Sequence, residues 1–234
     1  MTLLTIIQGA AKELPVSTPS TVISNSESNT VTMLQLAQKE VLELIRQYDW
    51  QALLAEGTFT TVAAETQTTL STVATDILRI CNDSMWDRTQ SKKVLGPLSP
   101  QEWQRKKASA AQASASSWFR IRGNSILFYP TPAAGNSIYF EYQRNTPILD
   151  TNGSTRKATW AADTDTCILN EELVRLGVVW RFLQGRGLDY GEAFRTYQDA
   201  LDYFAGIDGA KPVIDMTGET ETLDVTLADG SWSL

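Results

Sequence analysis

The chain has 234 residues, 42% hydrophobic and 20% charged, with seven each of Trp, Tyr and Phe, a mixture that excludes a disordered polymer and supplies a sizeable core. Its formal net charge of −7 argues against general affinity for nucleic acid. There is no histidine, which excludes Ser-His-Asp and Cys-His catalysis and His-containing zinc sites.

No apolar run reaches the length of about 18 residues that a membrane span needs. The segment Met1 to Leu14 lacks a basic start and a small-residue cleavage site, so it reads as a mature helix and not as a signal peptide. Its apolar positions Leu3, Ile6, Ile7, Ala10 and Leu14 step by three and four along one helical face. Pro15 ends that helix, and residues 15–29, rich in Ser, Thr, Asn and Pro, read as a loop. A long helix is predicted over residues 31–54, with Leu34, Ala37, Val41, Leu44, Ile45, Tyr48 and Leu53 on its buried stripe.

The pattern changes at Gly57. Residues 58–62 and 69–73 are rich in β-branched types and read as short strands, 77–82 as a helical turn, and 84–88 as extended chain. Ser99, Pro100 and Glu102 carry the cap, first-turn proline and first-turn acid of a helix start. Alternation is sharp from Trp118 to Arg122, from Ser125 to Tyr129, and from Ser137 to Gln143. The Gly123-Asn124 pair and the Pro-rich stretch 130–136 mark turns between these runs, and the pattern predicts a three-stranded antiparallel meander. Helical periodicity returns at Asp165, with one helix opening at Asn170-Glu171-Glu172 and another running from Leu188 or Asp189 to about Gly206. Residues 207–234 hold six acids and one lysine and too little apolar mass for a core of their own. They read as an extended arm, with Leu223, Val225 and Leu227 alternating along one edge.

The predicted class is α+β: an antiparallel helical bundle from the N- and C-terminal helices, an inserted antiparallel β-rich region, and an extended C-terminal arm. The expected divisions are 1–54 and 165–206 for the two parts of the bundle, 55–164 for the β-rich insertion with a short helix, and 207–234 for the arm.

No cluster carries a recognisable reaction. Asp163/Asp165 and Glu171-Glu172 invite a metal or glycosidase reading, but a calcium loop would need a Gly and a terminal Glu that are missing, and acids at a helix start complement its dipole. Gly185-Arg186-Gly187 lacks the preceding strand and glycine spacing of a phosphate loop and reads as a helix-to-helix turn. Trp50, Trp86, Trp103, Trp118 and Trp180 read as core or interface anchors, and the meander aromatics leave a sugar- or base-stacking face open as an alternative. Cys81 and Cys167 are isolated, give no disulfide framework, and fit folding in a reducing cytosol. Arg88, Lys92, Lys93, Arg105, Lys106 and Lys107 form a candidate basic patch that faces DNA, an acidic neighbouring subunit, or solvent.

Several stretches taken together resemble a known family. They are LLTIIQGAAKEL (3–14) with VISN (22–25), IRQYDWQAL (45–53), GPLSPQEWQ (96–104), FRIRGNSILFYPTPAAGNSIYFEYQ (119–143), and the run from Ala162 to Leu201 that includes NEELVRLGVVWRFLQGRGLDYGEAF. In order and wording they are similar to the head-to-tail adaptor, or connector, proteins of tailed bacteriophages, usually short-tailed ones, over roughly residues 1–210. The resemblance implies a non-enzymatic structural subunit without cofactor or metal, assembled as a ring, commonly of twelve copies, beneath the portal. It implies portal protein above, tail nozzle or other tail proteins below, and genomic DNA passing without sequence specificity. Such a chain would be made in the host bacterial cytoplasm and reside in the neck or tail of the virion. In similar adaptors the C-terminal segment reaches into the portal. That assigns Val213, Ile214, Leu223, Val225, Leu227 and Trp232 as expected portal contacts. A glycan-binding tail or fibre component is the competing expectation.

Overall fold

The computed structural model describes residues 2–108 and 116–209. Helix α1 (Leu3–Glu13) starts where the Thr2 hydroxyl accepts from the Thr5 N–H, and it buries Leu3, Ile6, Ile7, Ala10 and Ala11 on the predicted face. Helix α2 (Ser28–Gln47) buries Met33, Ala37, Val41, Leu44 and Ile45. It stops at Gln47 because Tyr48 turns to extended geometry, and a single 3-10 turn at Gln51–Leu53 feeds the first strand. There follow β1 (Leu54–Thr60), β2 (Thr66–Thr69), the short α3 (Leu70–Val73), β3 (Ile77–Ile80), β4 (Trp86–Asp87), β5 (Lys92–Leu95) and α4 (Pro100–Ala108). The chain continues through β6 (Ser117–Arg122), β7 (Ser125–Tyr129), β8 (Ser137–Arg144), β9 (Ile148–Leu149), β10 (Arg156–Lys157) and β11 (Thr166–Cys167) to α5 (Glu171–Gly185) and α6 (Gly191–Asp208).

Eight strands form one mixed sheet in the order β1-β8-β4-β5-β6-β7-β2, with β3 also paired to β8. Strand β8 is its backbone. It takes β1 along its whole length on one side, and β4 and β3 in turn on the other. The sheet rolls into a nearly closed barrel: Phe59 of β1, at one end of the strand order, reaches Phe128 of β7 with ring centroids 5.9 Å apart. Ile80, Met85, Val94, Phe119, Ile126, Phe128, Ile138 and Phe140 fill the inside of the roll. At Gly96, φ is +143° and a Cβ would lie 2.5 Å from the Phe119 carbonyl oxygen, so only glycine lets the chain leave β5 so close to β6.

The second core lies among helices α1, α2 and α5, joined by Ile148, Trp160, Cys167 and Leu169 from the small sheet β10-β9-β11 and the loops around it. Helix α5 packs on α1, α2 and α6. The two cores meet near the end of α2. There the Gln143 side-chain amide donates to the Tyr48 carbonyl, Arg79 pairs with Asp49, and the Asp208 carboxylate accepts from the Gln51 N–H.

This architecture corrects the predicted fold class. The described residues are mixed α+β, with six helices and a large barrel-like mixed sheet, and not a helical bundle with an inserted antiparallel region. Strands β5 and β6 run parallel, which an antiparallel insertion does not contain. The predicted meander is corrected too. Strands β6 and β7 form the expected hairpin, but β8 does not pair with β7, because the β4–β5 hairpin and β6 itself stand between them. Residues 77–80, expected as a helical turn, are strand β3.

Candidate functional site

The acid pairs are structural fasteners. The Asp163 carboxylate accepts from the Val22 and Ile23 N–H groups, and its carbonyl accepts from the Leu4 N–H. Asp165 is fully buried and accepts from the Ala161 and Ala162 N–H groups and from Lys157 at 2.9 Å. Burial by itself would raise its pKa, but Lys157 and those two amides together hold it below the ordinary carboxylate range. The loop therefore ties α1 and residues 22–23 to β11. Glu171 and Glu172 occupy the first turn of α5, whose cap Asn170 accepts from the Glu172 N–H. Arg186, Gly187 and Leu188 return N–H groups to the carbonyls that end α5, the helix-to-helix turn that the sequence predicts.

Among the described residues no group of three or more acids or cysteines is arranged to hold a metal ion. Both thiols are free. Burial pushes the Cys167 thiol up to about 12, and burial with Asp49 and Glu141 nearby raises Cys81. Neither is poised as a thiolate nucleophile.

The six cations of the predicted basic patch come from two elements. Arg88, Lys92 and Lys93 belong to the β4–β5 hairpin, whereas Arg105, Lys106 and Lys107 end α4. Ser99 and Glu102 cap α4 reciprocally: the Ser99 hydroxyl accepts from the Glu102 N–H and the Glu102 carboxylate accepts from the Ser99 N–H. Buried Trp103 then sets the helix against Tyr129 on the outside of β7. Four of the six cations are already engaged. Arg88 pairs with Glu56 at 2.5 Å, Lys93 with Asp83 at 3.2 Å and Lys107 with Glu65 at 2.6 Å, while Lys106 lies 3.7 Å over the Trp118 ring. Lys92 and Arg105 are exposed.

A second surface lies across β1, β8 and β4 on the outside of the roll. It is a groove of about 330 Å³ lined by Glu56, Ser84, Trp86, Arg88, Tyr139, Phe140 and Glu141. The strand register builds it: Glu56 faces Glu141, and Tyr139 faces Trp86. Trp86 is 45% exposed, and the Arg88 guanidinium covers the Tyr139 ring at 3.7 Å. The sequence singles out Trp86 and Arg88 but does not group Glu56, Tyr139 and Glu141 with them in one site. Alternation along β8 was enough to put Tyr139 and Glu141 on one face. Their opposition to Glu56 depends on pairing with a distant strand.

Between α2, α5 and α6 lies a buried polar cluster that the sequence did not announce. Fully buried Glu40 accepts from the Arg181 Nε at 2.6 Å, Arg181 also donates to Glu43 at 2.6 Å, and Tyr197 of α6 adjoins Glu40. Burial raises the Glu40 pKa more than Tyr197 and Arg181 lower it. Burial and the Glu40 charge push the Tyr197 hydroxyl up as well. Gly177 makes room for the cluster, since a Cβ there would lie 2.3 Å from the Glu40 Cδ.

Beyond this cluster α6 is thinly covered, with Tyr203 63% and Ile207 60% exposed. The expected portal contacts Val213, Ile214, Leu223, Val225, Leu227 and Trp232 lie outside the described residues. No described helix is long and apolar enough to cross a membrane.

No curated protein matches the chain. A family model described as SU10 adaptor protein matches residues 1–220.

Proposed function

We propose, because this chain belongs to the SU10 adaptor family of phage head-tail adaptors, that it is a structural subunit of the virion neck that assembles with copies of itself into a ring beneath the portal. The ring joins portal to tail, and its inner wall lines the path by which the genome leaves, touching DNA without reading its sequence. The chain performs no covalent chemistry; its work is to present surfaces. The observation that carries this reading is the family match across residues 1–220.

Three features support it. The described fold devotes its acid pairs to fastening loops. It leaves apolar Tyr203 and Ile207 open on the helix that leads into residues 210–234. It also presents an acidic-aromatic groove and exposed cations, which suits contact with several neighbours at once. A glycan-binding role has Trp86 in its favour, but Arg88 occupies the adjoining Tyr139 face, which leaves one open ring where a sugar-stacking site would use more.

On this reading residues 210–234 hold the portal. Deleting them leaves α6 whole, so the truncated chain should unfold like the full chain in a thermal melt and fail to co-sediment with portal. Truncated protein that still enters particles and binds portal at wild-type levels would overturn the assignment of that segment.

A further inference from the structure

The outer groove on β1, β8 and β4 holds an electrostatic imbalance that the chain does not resolve by itself. Glu56 and Glu141 stand directly opposite each other across antiparallel strands, an arrangement in which like charges repel. Arg88 pairs with Glu56. Exposed Glu141 has no ion-pair partner among the described residues, and its neighbour in the groove is the half-exposed ring of Trp86. A visiting arginine satisfies both, because its planar guanidinium binds a carboxylate through two donors and stacks on an indole.

The chain carries such an arginine. Arg122 closes β6 at the β6–β7 hairpin, is exposed, and has no ion-pair partner among the described residues. The hairpin is tied at Asn124 to Leu70 and Ser71 and is open at Gly123, the residue next to Arg122, where nothing lies within 4 Å of the position of a Cβ. It cannot serve its own groove. In the register of the sheet, Glu141 is level with Trp118, so Arg122 lies four residues further along and three strands across. At about 3.3 Å per residue and 4.8 Å per strand the path over the sheet is roughly 19 Å, well beyond the reach of one side chain.

We infer that the groove receives the β6–β7 hairpin of a second copy of this chain, with the neighbour's Arg122 seated between Glu141 and Trp86. Because groove and hairpin are different surfaces of one molecule, the contact is head-to-tail, the class that closes into rings. The inference rests on the proposed ring and names the contact that builds it.

The test is charge reversal in the full-length chain, read by sedimentation velocity across a concentration series. Glu141→Arg and Arg122→Glu should each weaken self-association by about tenfold or more, and the two changes combined in one chain should restore it to within about threefold. Both side chains are exposed, so the far-ultraviolet circular dichroism should not move. A wild-type ring that either reversal leaves undisturbed overturns the inference and leaves the ring standing. A wild-type chain that stays monomeric at every concentration, alone and with portal, overturns the ring and the inference with it.

Discussion

Replacing Arg181 by Met isolates the energetics of the polar cluster that joins α2, α5 and α6. The methionine keeps an apolar stem but removes the guanidinium, which bonds Glu40 and Glu43 and lies 4.4 Å over the Trp180 ring. Glu40 would be left fully buried with only Tyr197 beside it. Breaking a buried ion pair by removing one partner costs about 3–5 kcal/mol. Two features place this case near the lower end. Glu43 keeps 34% of its side chain exposed and can return to water, and Glu40 can shed its charge by taking up a proton. A loss of about 3 kcal/mol in a chain of this size lowers the melting temperature by about 6–12 °C. Urea unfolding followed by circular dichroism should show the midpoint falling with an unchanged slope. The double variant Glu40→Leu/Arg181→Met removes the orphaned charge as well and should recover to within about 1 kcal/mol of the wild type. An Arg181→Met single variant within about 0.5 kcal/mol of the wild type would refute the claim that this pair is desolvated and mutually dependent.

The same cluster predicts a pH signature. The Glu40 pKa is raised in the folded chain, so folding favours its protonated form, and its contribution to stability is present in acid and lost as pH rises through the folded value. Relative to Glu40→Gln, the wild type should therefore gain stability as pH falls from neutral towards the ordinary carboxylate range; urea melts that show a pH-independent difference would contradict this. Gly177→Ala should destabilise by about 2 kcal/mol, because overpacking against the Glu40 side chain outweighs the gain of up to about 1 kcal/mol in helix propensity. Gly185→Ala on the same helix meets nothing within 4 Å and should be neutral or mildly stabilising, and equal melting temperatures for the two variants would count against the packing argument.

Local signals carried the helices well. The three-four spacing of Leu3, Ile6, Ile7 and Ala10 and the Ser99-Pro100-Glu102 start both describe α1 and α4 as they stand. The error at the end of α2 is also local in origin: Tyr48 and Leu53 fit a helical stripe, yet extended geometry at Tyr48 breaks the helix and the 3-10 turn carries Leu53 into the core separately. The sheet was only partly legible. Strands β4 and β5 are two and four residues long, too short for alternation to register, and they insert between two strands that the sequence places next to each other. Strand β8 chooses β1 over β7, a choice decided by pairing across a long stretch of chain and invisible to any short window. The groove inherits that difficulty, since Glu56, Trp86 and Glu141 come from three separate strands. Net charge mattered less than its arrangement. The sequence shows six clustered cations, whereas the fold divides them between a hairpin and a helix and engages four of them.

The central claim is that this chain forms the ring that joins the head to the tail. Electron microscopy of intact particles, with side-chain detail at the neck, tests it most directly. The account predicts a closed ring of this chain directly below the portal, with the β6–β7 hairpin of each copy against the β1-β8-β4 face of the next and residues 210–234 in contact with portal. A neck built without this chain, or this chain found only in fibres at the far end of the tail, would contradict it.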